Sequence, residues 1–196
     1  MTYFSKALAV LLVFVMLTAM LCTVGCGDDV TLGQNVEGTS SASSGNAVGN
    51  VRNGAYKVGD ALEPYEVTLL SGETVGTDDL RGSVVMINLW ATWCGPCINE
   101  MPDIQKLRET YTDEQLVILA VNIGDDVASA QRFAAANPSY TFAMGTEAAG
   151  KLSMLSAYIP YTIIADPSGT VVYTHTGAPN DPYNAYKSVI DSALQL

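Results

Sequence analysis

The chain has 196 residues, and hydrophobic residues make up 48% of it, so it is long and apolar enough for one domain with a real core plus extra segments. Its formal net charge is −11, with only 9 Lys and Arg residues. A chain this acidic repels phosphate groups, so the composition disfavours both nucleic-acid binding and a polybasic contact with anionic lipid.

The four cysteines fall into two close pairs, Cys22/Cys26 and Cys94/Cys97, and His175 is the single histidine. A closed zinc site would need four such ligands in one folded unit, and the first pair lies in a segment that resembles a signal peptide. We therefore predict no metal site and no cofactor.

An apolar stretch at residues 7–21 has the length of a signal-peptide core and is shorter than the ~20 residues that span a bilayer. The run that ends at Cys26, with Gly25 directly before it, resembles a bacterial lipoprotein signal. Thr23 departs from that pattern, in which an aliphatic residue usually stands three positions before the cysteine. The resemblance implies that Cys26 is acylated and holds the protein at a membrane surface. An uncleaved membrane helix over residues 4–25 is the alternative.

Residues 33–55 are rich in Gly, Ser and Asn and contain no aromatic residue. Such a composition cannot bury enough apolar surface to order itself, so it predicts a flexible tether with a reach of about 25–30 Å. We divide the chain into a signal peptide at residues 1–25, a tether at residues 26–55 and a folded domain at residues 56–196.

The first half of this domain begins with two β-prone runs, residues 65–69 and 73–75, and the Ser-Gly pair between them predicts a hairpin. Residues 84–90 form a dense apolar run, which predicts a central strand buried on both faces. A helix is predicted at residues 96–111, because Pro96 suits the first turn of a helix.

The second half continues with a buried strand at residues 116–123 and a helix to about residue 137 that Asp125 or Asp126 can cap. The remaining predicted elements are a helix at residues 146–158, a strand at 161–165, a turn at 166–169, a partner strand at 170–176 and a helix at 181–194. This order predicts an α/β domain with a mixed central sheet flanked by helices.

The segment Cys94-Gly95-Pro96-Cys97 joins a buried strand to a helix. A thiolate is the nucleophile in disulfide exchange, and the unpaired N–H groups at a helix N-terminus stabilise it. We predict that Cys94 is exposed and attacks, and that Cys97, one turn further, is more buried and resolves the mixed disulfide. An inert structural disulfide is the alternative, but so short a loop constrains the unfolded chain little.

Residues 91–97 resemble the active site of the thioredoxin superfamily, and Pro102 matches its kinking proline. Residues 159–162 resemble its cis-proline loop. The pattern Cys-x-x-Glu-x-Pro that starts at Cys97 is similar to that of the TlpA/ResA-like branch, and the likeness covers about residues 57–194. The resemblance implies a thioredoxin fold with an N-terminal β-hairpin and an inserted helix.

The resemblance also implies the residues of the site. Asn88 stands where thioredoxin has a buried Asp, so Glu100, one turn after Cys97, becomes the candidate that exchanges protons with it. An ordinary exposed glutamate is the alternative. The implied catalytic residues are Cys94, Cys97 and Glu100, and the implied substrate-binding residues are Trp93, Gly95, Pro96, Ile159 and Pro160. Trp93 either forms a docking rim or packs beside the disulfide.

The function implied by the resemblance is a thiol–disulfide oxidoreductase anchored to the outer face of the cell membrane. Its partners would be protein thiols and disulfides, with electrons from an integral-membrane thiol carrier, and cytochrome c maturation is the process implied. We expect a monomer. The Gly-Pro pair between the cysteines resembles that of reducing thioredoxins more than that of strong oxidants, which implies a reductase. The alternatives are an oxidase or isomerase, a peroxiredoxin-like peroxidase, whose signature is not present around Cys94, and a non-catalytic tethered binding module.

Overall fold

A computed structural model describes residues 55–147 and 150–195. The predicted signal peptide, Cys26 and almost all of the predicted tether lie outside the described residues. None of the helices in the described part is long and apolar enough to cross a bilayer.

Within the described residues, seven strands form one mixed sheet. They are β1 Glu66–Leu69, β2 Thr74–Gly76, β3 Val84–Trp90, β4 Leu116–Asn122, β5 Ala143–Thr146, β6 Tyr161–Ala165 and β7 Val171–Thr176. Their order across the sheet is β2-β1-β5-β4-β3-β6-β7. The β3–β4 and β4–β5 pairs are parallel, and the other pairs are antiparallel. The hairpin predicted at residues 65–75 and the strands predicted at residues 84–90 and 161–165 are confirmed.

Strand β3 lies inside the sheet, between β4 and β6, and all seven of its residues are buried. Its side chains alternate between two cores, because successive residues of a strand point to opposite faces. Met86 and Trp90 pack on one face, while Ile87 and Leu89 pack on the other. Full burial of such a side chain contributes about 1.5–3 kcal/mol, so this strand is a main source of stability. Asn88 is the polar exception within it.

The described helices are α1 Gly95–Thr110, α2 Val127–Ala136 and α3 Pro182–Leu194. Asp126 caps α2 through a hydrogen bond from the Ser129 backbone N–H, and Asp181 caps α3 in the same way. Of the two candidates for the α2 cap, Asp126 is therefore the cap, and a cap of this kind contributes about 1 kcal/mol.

The prediction of a helix at residues 146–158 is wrong. Residue 146 ends β5, a strand that the sequence did not predict, and the described residues after it form only a short 3-10 turn, Leu152–Met154. Gly145 lets β5 approach β1, since a Cβ there would lie 2.6 Å from the Val67 side chain. Gly150 has a φ of +66°, which ends any helix at that point.

Four connections meet at one edge of the sheet. The register pairs Trp90 with Asn122 and Leu89 with Tyr161, so the ends of β3 and β4 lie beside the start of β6. Thr176, at the end of β7, pairs with Tyr161 from the other side. The loops that follow β3, β4 and β7 therefore lie next to the loop that precedes β6.

Candidate active site

Cys94 and Cys97 form a disulfide at the N-terminus of α1, with an S–S distance of 2.02 Å. Cys94 is the N-cap residue of this 16-residue helix, and the Cys97 backbone N–H donates to its Sγ at 3.3 Å. Gly95 and Pro96 between them are exposed. The first turn of α1 thus carries an oxidised dithiol whose two intervening residues are exposed.

The two cysteines differ in exposure in the predicted order, but Cys94 is less open than the sequence suggested. Cys94 keeps 4% of its surface exposed, and Cys97 keeps none. The prediction that Cys94 is exposed is therefore wrong for the oxidised form. The Cys94 sulfur is bonded to Cys97 and also accepts from the Cys97 backbone N–H, which accounts for its small exposure.

The loop before β6 carries a cis peptide bond between Ile159 and Pro160, as the resemblance implied. The Gly177 backbone N–H donates to the Pro160 carbonyl at 2.8 Å, which ties this loop to the end of β7. Ile159 packs against the core cluster that contains both cysteines. The proline loop and the disulfide therefore lie at the same edge of the sheet.

Asp125 fixes the turn that precedes the disulfide. Its carboxylate accepts hydrogen bonds from the Thr92 backbone N–H at 2.6 Å and the Thr92 hydroxyl at 2.7 Å. Asn122 donates a third bond at 2.8 Å. Burial alone would raise the pKa of Asp125, but these hydrogen bonds outweigh it and hold the pKa below its ordinary value. The sequence suggested Asp125 only as a helix cap and gave no sign of this contact.

Two aromatic side chains stand exposed on the loops that border the site. Trp93 is 67% exposed, and its indole N–H donates to the Gly124 carbonyl at 3.1 Å. A Cβ at Gly124 would lie 2.9 Å from the Trp93 ring, so glycine permits this contact. Tyr158, directly before Ile159, is 74% exposed. The exposure of Trp93 favours the docking rim over packing, and Tyr158 is a rim candidate that sequence reasoning missed.

Glu100 is buried, with 1% of its surface exposed, so the alternative of an ordinary exposed glutamate is wrong. Its carboxylate accepts hydrogen bonds from Asn88 Nδ2 at 2.8 Å and from the Tyr186 hydroxyl at 2.9 Å. Burial raises the pKa of Glu100 to about 7, because it disfavours the charged form more than the two hydrogen bonds favour it. Glu100 and Cys97 share the buried face of α1.

A dithiol that caps a helix beside a cis-proline loop is equipped for one chemistry, the exchange of disulfides with a second thiol pair. Nothing in residues 55–147 or 150–195 groups three or more His, Cys, Asp or Glu side chains as a metal site would, and we assign none. Fold and site together define a thiol–disulfide oxidoreductase of the thioredoxin fold.

Comparison with known proteins agrees with this class. The Redoxin family model matches residues 57–194. A thiol-disulfide oxidoreductase ResA from Geobacillus kaustophilus is 34% identical over 127 residues, which is 63% of this chain and 71% of the relative. The ResA of Halalkalibacterium halodurans is 30% identical over 125 residues, which is 62% of this chain and 69% of that relative. A solved structure of a candidate thiol:disulfide interchange protein DsbE from Chlorobium tepidum is 26% identical, with a TM-score of 0.64 over 71% of this chain and 99% of that one. The chain belongs to the Redoxin family.

Proposed function

We propose that this oxidoreductase reduces disulfides of other proteins outside the cytoplasm, held at the outer face of the cell membrane through Cys26. One observation carries the proposal, the Cys94–Cys97 pair at the start of α1 with buried Glu100 one turn further along. This arrangement supports a reaction in which Cys94 attacks and Glu100 takes the proton of Cys97.

The first step is attack by the Cys94 thiolate on one sulfur of a substrate disulfide. A mixed disulfide forms, and the other substrate sulfur leaves as a thiolate. The N-terminus of α1 favours this step, because its free N–H groups stabilise negative charge on Cys94. The Cys97 N–H already points at the Cys94 sulfur, at 3.3 Å.

The second step needs Cys97 to lose its proton. Glu100 takes that proton, and the Cys97 thiolate attacks the Cys94 sulfur and expels the second substrate thiolate. Two electrons pass to the substrate, and the protein is left with the Cys94–Cys97 disulfide. Within the described residues Glu100 is the only buried carboxyl side chain, and a pKa of about 7 suits a group that gains and loses a proton at neutral pH.

The substrate chain would lie across the sheet edge described above. Its contacts would include Trp93, Gly95 and Pro96 on one side and the Ile159–Pro160 loop on the other. Trp93 and Tyr158 offer large rigid surfaces that bind a partner with little loss of side-chain entropy. Substrate preference would then depend on what flanks the target cysteine.

The direction of electron flow follows from resemblance. Gly-Pro between the cysteines is similar to reducing thioredoxins, and the family branch implies an integral-membrane thiol carrier as electron donor. Cytochrome c maturation is the process we propose for the reduced substrates.

The reduction potential of the Cys94–Cys97 pair tests this direction. We expect a value near or below about −270 mV, as in thioredoxin, when the protein is equilibrated with dithiothreitol redox buffers and its free thiols are counted by alkylation and mass spectrometry. A value near −120 mV would make the protein an oxidase. The Cys94→Ser and Cys97→Ser variants serve as controls that cannot titrate. If wild type formed no reversible disulfide either, the non-catalytic binding module would replace the enzyme.

Lipidation of Cys26 is a separate expectation with its own test. We expect a labelled fatty acid to enter wild type and a Cys22→Ser variant, but not Cys26→Ser, and the unlabelled variant to leave the membrane fraction. The two substitutions are chemically identical, so the comparison isolates the acylated position. If Cys26→Ser stayed in the membrane fraction, the uncleaved helix over residues 4–25 would explain the anchoring instead.

A further inference from the structure

Four buried side chains from four different elements form a closed ring of hydrogen bonds around the Glu100 carboxyl. Asn88 Nδ2 donates to Glu100 Oε1 at 2.8 Å and to Thr162 Oγ1 at 3.0 Å. The Tyr186 hydroxyl donates to Glu100 Oε2 at 2.9 Å and lies 3.2 Å from the Thr162 hydroxyl. The ring joins β3, α1, β6 and α3, and the core closes over all four residues.

The ring is complete when Glu100 is charged. Both N–H groups of Asn88 are used, and the Tyr186 hydrogen goes to Glu100, so the hydrogen between Tyr186 and Thr162 belongs to Thr162. Every hydrogen of the ring then meets an acceptor. Asn88 Oδ1 is left over, a buried oxygen without a hydrogen-bond partner in the described part of the chain. Such an atom costs free energy, so it needs a physical reason.

The reason lies in the neutral state of Glu100. Protonated Glu100 adds its own hydroxyl hydrogen to those of Tyr186 and Thr162, which makes three. The Glu100–Tyr186 and Tyr186–Thr162 contacts each hold only one hydrogen, so one of the three has no acceptor. A half-turn of the Asn88 amide resolves the excess. Oδ1 then takes the place of Nδ2 and accepts from both Glu100 and Thr162, while Tyr186 still donates to Oε2. The protonation state of Glu100 therefore decides the orientation. Oδ1 in the inner place would face the charged carboxylate, whereas Nδ2 in that place would face the hydroxyl hydrogen of the protonated form.

We propose that Asn88 and Tyr186 are positioning residues for the proton transfer of Glu100, a role that rests on the function proposed above. Tyr186 holds the carboxyl group in one place in both protonation states. Asn88 turns its amide when Glu100 gains or loses its proton, and thereby keeps both states hydrogen-bonded. A buried carboxyl group that must change charge during each turnover is stabilised in both forms by this pair.

The other ionisable groups near Glu100 act on it in known directions. Asp103 on α1 raises its pKa by charge repulsion, although burial is the larger cause. Tyr186 from α3 and Tyr173 from β7 face it, and the pKa of both phenols is raised by burial first and by the charge of Glu100 second. Cys97 shares its helix face and titrates only when the disulfide is reduced. The ring partners from β3 and β6, Asn88 and Thr162, do not titrate.

The first experiment measures the pKa of Glu100 in the full-length oxidised protein by carboxyl carbon NMR, with Glu100→Gln to assign the signal. Tyr186→Phe removes a donor to the charged form, so the pKa should rise by about one unit, a tenfold change in proton affinity. Tyr183→Phe is the matched control on the same helix, since its hydroxyl contacts Thr110 rather than Glu100. An unchanged Glu100 pKa in Tyr186→Phe overturns the positioning role of Tyr186.

The pH profile of disulfide reduction separates this proposal from the one on which it rests. A profile that shifts with the Glu100 pKa in Tyr186→Phe supports both. If the pKa shifts and the profile does not, Tyr186 positions Glu100 but Glu100 is not the proton acceptor of the reaction.

The second experiment begins with wild type, so the result that would overturn the proposal does not depend on any variant folding. The side-chain amide signals of Asn88 should change with pH at the same midpoint as the Glu100 carboxyl, and the change should vanish in Glu100→Gln. Amide signals that stay the same between pH 5 and pH 9 in wild type would overturn the rotation of Asn88.

Discussion

Replacing Cys94 by serine is expected to lower the rate of insulin reduction, with dithiothreitol as electron source, by at least about a thousandfold. A serine hydroxyl is not ionised at neutral pH and forms no mixed disulfide, so the first step of the reaction is lost. Because Cys94 caps α1 and is already buried, serine fits its place without a rearrangement of the helix start. The loss is therefore chemical rather than structural.

Cys97→Ser is the matched variant, because it breaks the same disulfide and leaves Cys94 able to attack. We expect it to stop after one step, with a substrate chain held on Cys94 that mass spectrometry detects and dithiothreitol releases. Cys94→Ser should trap nothing. The opposite pattern, an adduct on Cys97 in the Cys94→Ser variant, would exchange the roles of the two cysteines.

Some elements of this fold are evident from the sequence because their signal is local. Strand β3 is a run of apolar residues bounded by Gly82, and the turn before β7 has Asp166, Pro167 and Gly169 at the positions a type I turn favours. Strand β5 carries no such signal. It has four residues, one of them Gly145, and it is a strand because β1 and β4 lie on either side of it.

The residues of the site likewise include some that a local motif reveals and others that it does not. Cys94 and Cys97 stand three positions apart in a recognisable motif, so the sequence alone locates them. Tyr186 lies 86 positions from Glu100, and a tyrosine on an amphipathic helix predicts only a core residue. The Asp125–Thr92 contact spans 33 positions. Such partners are set by the register of β3, β4 and β6, which no local pattern reveals.

The pH dependence of stability is the second large effect, and it follows from burial of Glu100. The pKa of this carboxyl is about 7 in the folded protein, against 4.5 for an ordinary glutamate. Between these two values the folded state binds more protons than the unfolded state, so the free energy of unfolding falls as pH rises. The full difference corresponds to about 3 kcal/mol, present below pH 4.5 and lost as pH rises through 7.

Glu100→Gln should remove this dependence, since a glutamine does not titrate. In urea unfolding of the oxidised protein from pH 5 to pH 8, the midpoint for wild type should fall steadily, while that of Glu100→Gln should change much less. The variant should be the more stable of the two at pH 8. Glu109→Gln on the same helix is the control, because Glu109 is exposed and its substitution should leave the wild-type slope intact. Parallel curves for wild type and Glu100→Gln would mean that folding does not raise the pKa of Glu100.

That comparison also bears on why the residue is a glutamate. At neutral pH a buried carboxyl group lowers stability, and an uncharged amide of the same shape would fold better in its place. The presence of a glutamate there is explained by the role proposed for it, as the acceptor of the Cys97 proton. Glu100→Gln should accordingly be more stable than wild type at pH 8 and should reduce substrate more slowly. If the variant were more stable but reduced substrate at the wild-type rate, the buried acid would have no role in the reaction.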